Sequence, residues 1–410
     1  MCAEHTKKSN FKLATPFVYI LMIGLGVFSG WSDIGWLQQL GLFVADVFVK
    51  IFKCISLPII SLSIIVTLSS YHADGPLRSI WQRALRYTLS TTFFAALLSC
   101  MLYIWIHPSM VSAIHDAKTL NASDFNYFSH VSHLIPSTFF TPFLENQVFG
   151  VLLLSIVFGI AIRFIPDEDA QVTVTHFFRG LHGLLMVITT WVIKVIPLGM
   201  YGFIAATVVQ IRGGMVIKGI SEYLFIIILA NLIQGFVVLP LWLRFHHIKP
   251  FAAMRKMLPA LSLAFFSKSS VGTLPVTMDT AEKNLQVNPT ISRFVLPLCT
   301  SLNMNGCAAF IFVTVIYLMQ NHGVIISLPI MLLWVVIATI AAIGNAGVPM
   351  GCFFLSASLL ASMNVPITLM GIILPFYTLI DMLETALNVW SDSCVAKVLD
   401  EHARSQQIIA

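Results

Sequence analysis

From Phe17 to Leu399 the chain alternates long apolar runs with short polar breaks. Runs near residues 15–31, 41–69, 80–106, 143–165, 181–208 and 219–243 predict helices, and several reach the roughly 20 residues needed to cross a hydrocarbon core. After residue 250 the pattern changes. The apolar segments shorten and are interrupted, first by Ser267-Lys-Ser-Ser-Val-Gly-Thr-Leu-Pro275 and then by Gly344-Asn-Ala-Gly-Val-Pro349. Each interruption is followed by a full apolar segment with polar residues at its centre. Two interrupted segments at corresponding places point to inverted repeats with a binding site built from broken helices. The competing reading is two ordinary helices with kinks. Non-helical backbone at membrane depth is tolerated only where it is buried in protein or lines a cavity.

Composition narrows the class. Of 410 residues, 58% are hydrophobic and only 10% charged, with a mean hydropathy of +0.88. A water-soluble domain has about a quarter of its residues charged, so this chain lacks the polar surface to cover a soluble globule. The reading is an all-α polytopic membrane protein. The net charge of +5 comes from Lys and Arg in short loops, as topology signals do, and carries no nucleic-acid footprint. Lys7, Lys8 and Lys12, then Arg78, Arg83 and Arg86, then Arg244, Lys249, Arg255 and Lys256 fall on alternate breaks, which places the N-terminus in the cytoplasm by the positive-inside rule. The polar stretch 107–141 then faces outward, and its Asn121-Ala-Ser123 sequon reads as chance if the source is bacterial. Seven scattered cysteines show no C-x-x-C and no metal spacing. The first span is expected to be retained rather than cleaved as a signal peptide.

Three polar constellations carry the chemistry. In the last apolar segment Asp381, Glu384, Thr385, Asn388 and Asp392 stand at offsets of 3, 4, 7 and 11 from the first, which is one face of a helix. Carboxylates at that depth are costly against lipid, so the face must look inward at partners. A single acid near a helix end can simply reach the surface; a stripe of five polar groups cannot. In the preceding span, Thr300-Ser-Leu-Asn-Met-Asn-Gly306 suits a locally unwound segment whose carbonyl and side-chain oxygens bind a hard cation. The alternative is ordinary hydrogen bonding between helices by Asn. At the first interruption, Lys268, Ser269 and Ser270 offer backbone N–H groups and a helix N-terminus to a carboxylate.

In this order the motifs resemble the dicarboxylate/amino acid:cation symporter family. Ser269-Ser-Val-Gly-Thr-Leu-Pro-Val-Thr-Met278 looks like the family's serine-rich first tip. Asn303-Met-Asn-Gly306 resembles its Asn-Met-Asp-Gly motif, Ala346-Gly-Val-Pro349 its second tip, and Asp381…Thr385…Asn388…Asp392 its last helix. The resemblance implies eight transmembrane helices, two re-entrant helical hairpins and the glutamate-transporter-homologue fold. Residues 1–250 would be mainly scaffold and trimerisation spans, with the span near 80–106 joining the transport domain, and 251–410 the transport core. It implies a homotrimer in the cell (inner) membrane, both termini cytoplasmic, whose transport domain slides in an elevator motion with the second hairpin as gate. Carried over by position, Asp381 holds the substrate's α-ammonium. Asn388 and the backbone around Ser269 and Ser270 hold its α-carboxylate, while Thr385 and Val348 line the pocket. One sodium falls between Asp392, Asn388 and carbonyls near Cys299 and Asn303. A second uses carbonyls near Ser301, Ala342, Ile343 and Asn345.

Three departures matter. Glu384 stands where acidic-substrate members carry an Arg that pairs with the substrate's side-chain carboxylate. A Glu there can accept a hydrogen bond from Ser or Thr, face a cationic side chain, or stand protonated. The run Glu384-Thr-Ala-Leu-Asn388 resembles the sodium/serine-threonine symporters. Asn305 replaces the Asp that helps bind a third sodium, which Tyr87 and Ser90 would complete. Cys307 replaces a pocket Thr. The expectation is a Na⁺-coupled amino-acid symporter rather than an enzyme, with serine or threonine as substrate. Glutamate, aspartate or dicarboxylates come second, basic amino acids third, and a passive channel stands as the remote alternative. Na⁺ is the coupling ion, no organic cofactor is called for, and the partners are the amino acid, Na⁺ and membrane lipid, with no nucleic acid.

Overall fold

The computed structural model describes residues 7–32, 34–69, 77–110, 138–144, 148–212, 218–343, 345, 350–363, 365 and 368–405. Among these the chain is helical, with no strand. In order come α1 (Lys7–Trp31), α2 (Gly35–Ser69), α3 (Leu77–Ile106), the short α4 (Thr141–Leu144), α5 (Val148–Ile162) and α6 (Glu168–Arg212). The second half holds α7 (Lys218–Ile233), α8 (Leu239–Phe245), α9 (Pro250–Ser267), α10 (Ser270–Lys283), α11 (Pro289–Leu302), α12 (Asn305–Asn321), α13 (Leu328–Ile343), α14 (Gly351–Ser362) and α15 (Thr368–Ser405). Five stretches of the described helices are long and apolar enough to cross a membrane: Ser79–Ile106, Glu168–Val192, Gly219–Phe245, Pro289–Asn321 and Leu369–Ser405.

The helices follow the apolar runs, with one extension. The run expected at 181–208 is the later part of a helix that begins at Glu168, because Asp167 caps it: its Oδ1 accepts the N–H groups of Asp169 at 2.9 Å and Ala170 at 3.3 Å. Glu168 and Asp169 also place negative charge in the first turn, where the helix dipole favours it. The stretch 111–137 with its sequon, Val348, and most of the second tip lie outside the described residues.

Helices α1, α2 and α6 pack together through small residues. A Cβ on Gly26 would stand 2.8 Å from the Tyr201 carbonyl oxygen, and one on Gly30 2.6 Å from that of Ala205. Gly26 and Gly30 are four apart, the small-xxx-small spacing that lets membrane helices approach backbone to backbone. The second half winds around α12. Every residue of α12 except Gln320 is buried, and it is packed by α3, α7, α13, α14 and α15. A helix apolar on all sides is a core helix.

Two local devices bend this frame to serve the site. Helices α9 and α10 pack on one another through a two-residue joint. Lys268 takes the left-handed conformation (φ 55°, ψ 33°) and ends α9. Ser269 starts α10, its Oγ accepting the Gly272 N–H at 3.0 Å, and Ser267 and Thr273 hydroxyls clasp the joint at 3.0 Å. Between α7 and α8 the helix widens into a π turn, Gln234–Val238. Pro240 follows it and lacks an N–H, so the helical ladder is broken there. The Gly235 carbonyl instead accepts the Trp390 indole N–H from α15 at 3.1 Å.

At Gly306 closeness, not backbone freedom, is the requirement. The residue is helical, and an added Cβ would sit 2.8 Å from Glu384 Cα and 2.9 Å from Asn231 Oδ1. Gly306→Ala is therefore expected to lower the melting midpoint of the detergent-solubilised protein, at an overpacking cost of about 1–3 kcal/mol. Gly183, with nothing within 4 Å of its added Cβ, should tolerate Ala with an unchanged or raised midpoint. Equal midpoints for the two variants would overturn this account of the α12–α15 approach.

Candidate functional site

The site is built where α11 stops and α12 starts. Only Asn303 and Met304 leave the helical conformation (φ −96°, ψ 68° and φ −101°, ψ 64°). The break expected over 300–306 is thus two residues long, with Asn305 and Gly306 already in α12. A chain reversal is unnecessary; the break only offsets two buried helices so that both asparagines turn towards α15.

A buried polar network results. Asn303 Nδ2 donates to Ser391 Oγ at 2.8 Å and to Asp392 Oδ1 at 3.0 Å. Its Oδ1 accepts Thr91 Oγ1–H at 2.9 Å and Asn305 Nδ2–H at 2.8 Å. Asn305 Nδ2 also donates to Ser391 Oγ at 2.9 Å, while its Oδ1 accepts Gln234 Nε2–H at 2.8 Å. Gln234 reaches on to the Thr91 carbonyl at 3.2 Å. Asp392 is 1% exposed and Asn303 and Asn305 are 0%, so a lost partner in this network is not replaced by bulk water.

One helical turn towards the first tip the packing loosens into a small cavity of about 10 Å³. It is lined by Lys268 and Ser270 at the α9–α10 joint, Met304 and Cys307, Asn345, and Asp381, Glu384, Thr385 and Asn388 on α15. Ser270 opens α10, so the free N–H groups of a first helical turn lie in this wall. Asn388 bridges cavity and network. Its Oδ1 accepts the Gly306 N–H at 2.9 Å, but among the described residues its Nδ2 meets only the sulfurs of Met304 and Cys307, both at 3.5 Å. Sulfur is a weak acceptor, so this amide keeps donor capacity for a ligand. Thr385 donates its hydroxyl to the Asp381 carbonyl at 2.7 Å, leaving the oxygen lone pairs towards the cavity. Tyr377 donates to Glu384 Oε2 at 3.4 Å, and among the described residues Glu384 Oε1 has no hydrogen-bond partner.

All five residues of the expected stripe on α15 face inward and are buried. Of the other expected residues, Ser270 and Asn345 join the cavity, and Asn303 and Asn305 form the network. Ser269 caps α10. Cys299 carries the carbonyl that accepts the Asn303 N–H at 2.7 Å, Ser301 precedes the break, and Ala342 and Ile343 end α13. Tyr87 turns its ring edge-on to Trp242 and His246, and it is Thr91, one turn on, that reaches the network. Thr91, Gln234, Ser391, Tyr377 and Cys352 are participants that sequence reasoning passed over. Only Gln234 carried a signal, as an amide deep in the mostly apolar Gly219–Phe245 stretch at a widened turn, where functional residues concentrate.

The model of the sodium:dicarboxylate symporter family matches residues 17–402. A Caenorhabditis elegans protein named as a candidate sodium-dependent excitatory amino acid transporter, glt-4, is 28% identical over 98% of this chain and 92% of its own length. The human neutral amino acid transporter B(0) is 26% identical over 93% of this chain and 77% of its own. The human neutral amino acid transporter A is 30% identical over 62% of this chain and 48% of its own.

The network should behave as a unit. In a double-mutant cycle, Gln234→Ala and Asn305→Ala each lower thermal stability, and the double variant loses less than the sum, with a coupling of about 0.5–3 kcal/mol. Strict additivity would show that the 2.8 Å contact between them carries no energy.

Proposed function

The chain belongs to the sodium:dicarboxylate symporter family, a family of transporters rather than enzymes, and from that premise we propose that it imports a small neutral amino acid, serine or threonine, coupled to Na⁺. The observation that carries this reading is the pairing of opposite recognition chemistries across one cavity. Asp381 supplies a carboxylate for an ammonium. The first turn of α10 at Ser270 and the sulfur-facing amide of Asn388 supply donors for a carboxylate. Glu384 in the same wall, with a partnerless Oε1, suits a side chain that donates a hydroxyl hydrogen bond. Among the relatives, two named as neutral amino acid transporters support the substrate class.

The coupling ions are cargo. One Na⁺ is assigned to the Asp392 carboxylate, Asn388 Oδ1 and carbonyls near Cys299 and Asn303, and a second to carbonyls near Ser301, Ala342, Ile343 and Asn345. These donors are all oxygens, the set a hard monovalent cation takes. Asn305 has both ends of its amide engaged within the network, which argues for two sodium sites and against a third.

The proposed architecture has eight spans and two re-entrant hairpins related as inverted repeats, α9–α10 being the first hairpin and α13–α14 the second, with Val348 at the gate. Residues 1–250 form mainly the scaffold of a homotrimer, with α3 joining the moving core of 251–410. Both termini face the cytoplasm, and transport follows an elevator motion. The tight two-residue joint at Lys268 and Ser269, and the encirclement of α12, support a core that moves as one body.

A second reading has a specific observation behind it. Lys268 lines the cavity and offers a counter-charge to the side chain of glutamate, aspartate or a dicarboxylate, and one relative is named for excitatory amino acids. Uptake into proteoliposomes with labelled amino acids separates the two. We expect Na⁺-gradient-driven serine and threonine uptake that excess aspartate does not compete away. Aspartate uptake without serine competition would establish the acidic reading, and uptake indifferent to the gradient would sink symport altogether. Asp381→Asn should weaken apparent substrate affinity about 30-fold or more, as truncating a buried charge pair costs 2–5 kcal/mol. Glu384→Arg should shift preference towards acidic substrates; an unaltered profile would show that Glu384 does not read the side chain.

A further inference from the structure

Cys307 on α12, Cys352 on α14 and Glu384 on α15 bring two sulfur atoms and a carboxylate oxygen within 4.8 Å of one another, all three residues buried. They come from three separate helices, and their sequence positions share no spacing that would have flagged them. In a tetrahedral zinc site with bonds of 2.0–2.3 Å, neighbouring ligand atoms stand roughly 3.3–3.8 Å apart. Side-chain adjustments on the order of 1 Å therefore bring this set to bonding geometry. Two thiols and one carboxylate select a soft or borderline divalent cation over Na⁺, Mg²⁺ or Ca²⁺.

A second observation points to a ligand at the same place. Glu384 Oε1 and Asn345 Oδ1 are both buried and, among the described residues, have no hydrogen-bond partner, a state that buried polar atoms rarely keep without a reason. Asn345 Nδ2 lies 2.9 Å from Cys307 Sγ and 3.2 Å from Cys352 Sγ. The two ends of an amide are interchangeable by a half-turn. That half-turn presents Asn345 Oδ1 to the point the two sulfurs already face.

We propose that Cys307 Sγ, Cys352 Sγ and the Glu384 carboxylate, completed by Asn345 Oδ1, form a binding site for a thiophilic divalent cation such as Zn²⁺. Binding forms two metal–sulfur and two metal–oxygen bonds and releases the thiol protons to solvent, with no change of oxidation state. The site shares Cys307, Asn345 and Glu384 with the cavity wall, so metal and an organic ligand in that cavity exclude one another. It also ties α14 to α12 and α15. The inference rests on this side-chain geometry and not on the identity of the transported substrate.

The test uses the purified full chain in metal-free buffer with a phosphine reductant, titrated with Zn²⁺ by calorimetry and with Cd²⁺ by ultraviolet absorption. One equivalent of each should bind, and Cd²⁺ should give a thiolate charge-transfer band. Cys307→Ser and Cys352→Ser should each weaken binding about 100-fold or more, beyond the 10–100-fold that loss of a supporting outer contact costs. Glu384→Gln should weaken it as well, while Cys100→Ser and Cys394→Ser, buried elsewhere, should bind as the parent does. Melting midpoints for all five variants identify any that fail to fold, and Cys352→Ala repeats the measurement should Cys352→Ser be one of them. Binding without the charge-transfer band, or binding unchanged by Cys352 replacement, would overturn the site. Because the readout is metal binding, failure of serine uptake would leave this result standing, and the reverse holds too.

Discussion

The structure depends on keeping carboxylates inside an apolar helix bundle. Asp381, Glu384 and Asp392 are at most 6% exposed, and Asp400, farther along the same helix, is 0% exposed. Removing a charge from water costs several kcal/mol even after the protein relaxes, so each must be met by donors fixed in place. Asp400 shows the simplest solution: it accepts the Asn288 N–H at 2.9 Å and pairs with Arg404 at 3.1 Å and Lys397 at 3.5 Å. That bond ties the start of α11 to the end of α15. Nearer the middle of α15, Asp381 and Glu384 share a cavity wall with Lys268, while Asp392 is met by the Asn303 amide, and the departures from regular helix answer to these acids.

The break at Asn303 and Met304 is the chief of these. A continuous helix from Pro289 to Asn321 would spend its own N–H and C=O groups internally and offer α15 only side chains. Interrupting it for two residues turns Asn303 onto Asp392 and lets Asn305 reach Ser391. The π turn at Gln234 does the matching work from the other side, bringing one more amide to Asn305 while Trp390 caps the Gly235 carbonyl. Gly306 then lets α12 close against α15. A buried polar network gains from every member that is satisfied, and here the bonds come from α3, the π turn, the break, α12 and α15 at once, with Gln234 Oε1 left unpaired among the described residues.

This explains what the sequence made legible and what it did not. The stripe on α15 could be read because a single helix carries it and a 3.6-residue period exposes it. The interrupted segments could be read because Gly, Pro and Asn are costly in apolar helices and so stand out. Thr91, Ser391 and Cys352 could not, since nothing local distinguishes a buried Thr, Ser or Cys that meets a partner from one that merely packs. Gly306 was visible but open to the wrong reason: a glycine beside a break suggests backbone freedom, whereas the need comes from a helix eighty residues away. Contacts between distant elements leave no period along the chain.

The polar stripe also divides by how well it is satisfied, and that division decides where a ligand gains most. Around Asp392 the amides and hydroxyls are closed on one another, so a newcomer there must displace bonds already made. Around Asp381, Glu384 and Asn388 the partners are sulfurs, a long tyrosine contact and an unpartnered carboxylate oxygen. An unsatisfied buried polar atom carries its desolvation penalty of about 1–3 kcal/mol until something bonds to it. A ligand that supplies those bonds recovers the penalty as binding energy. The loosely satisfied end is also the end closed by two interruptions of the helical chain, where Lys268 and Met350 take left-handed backbone conformations. Under-satisfied groups and interrupted helices therefore coincide, as they must if the same place is both to bind and to open.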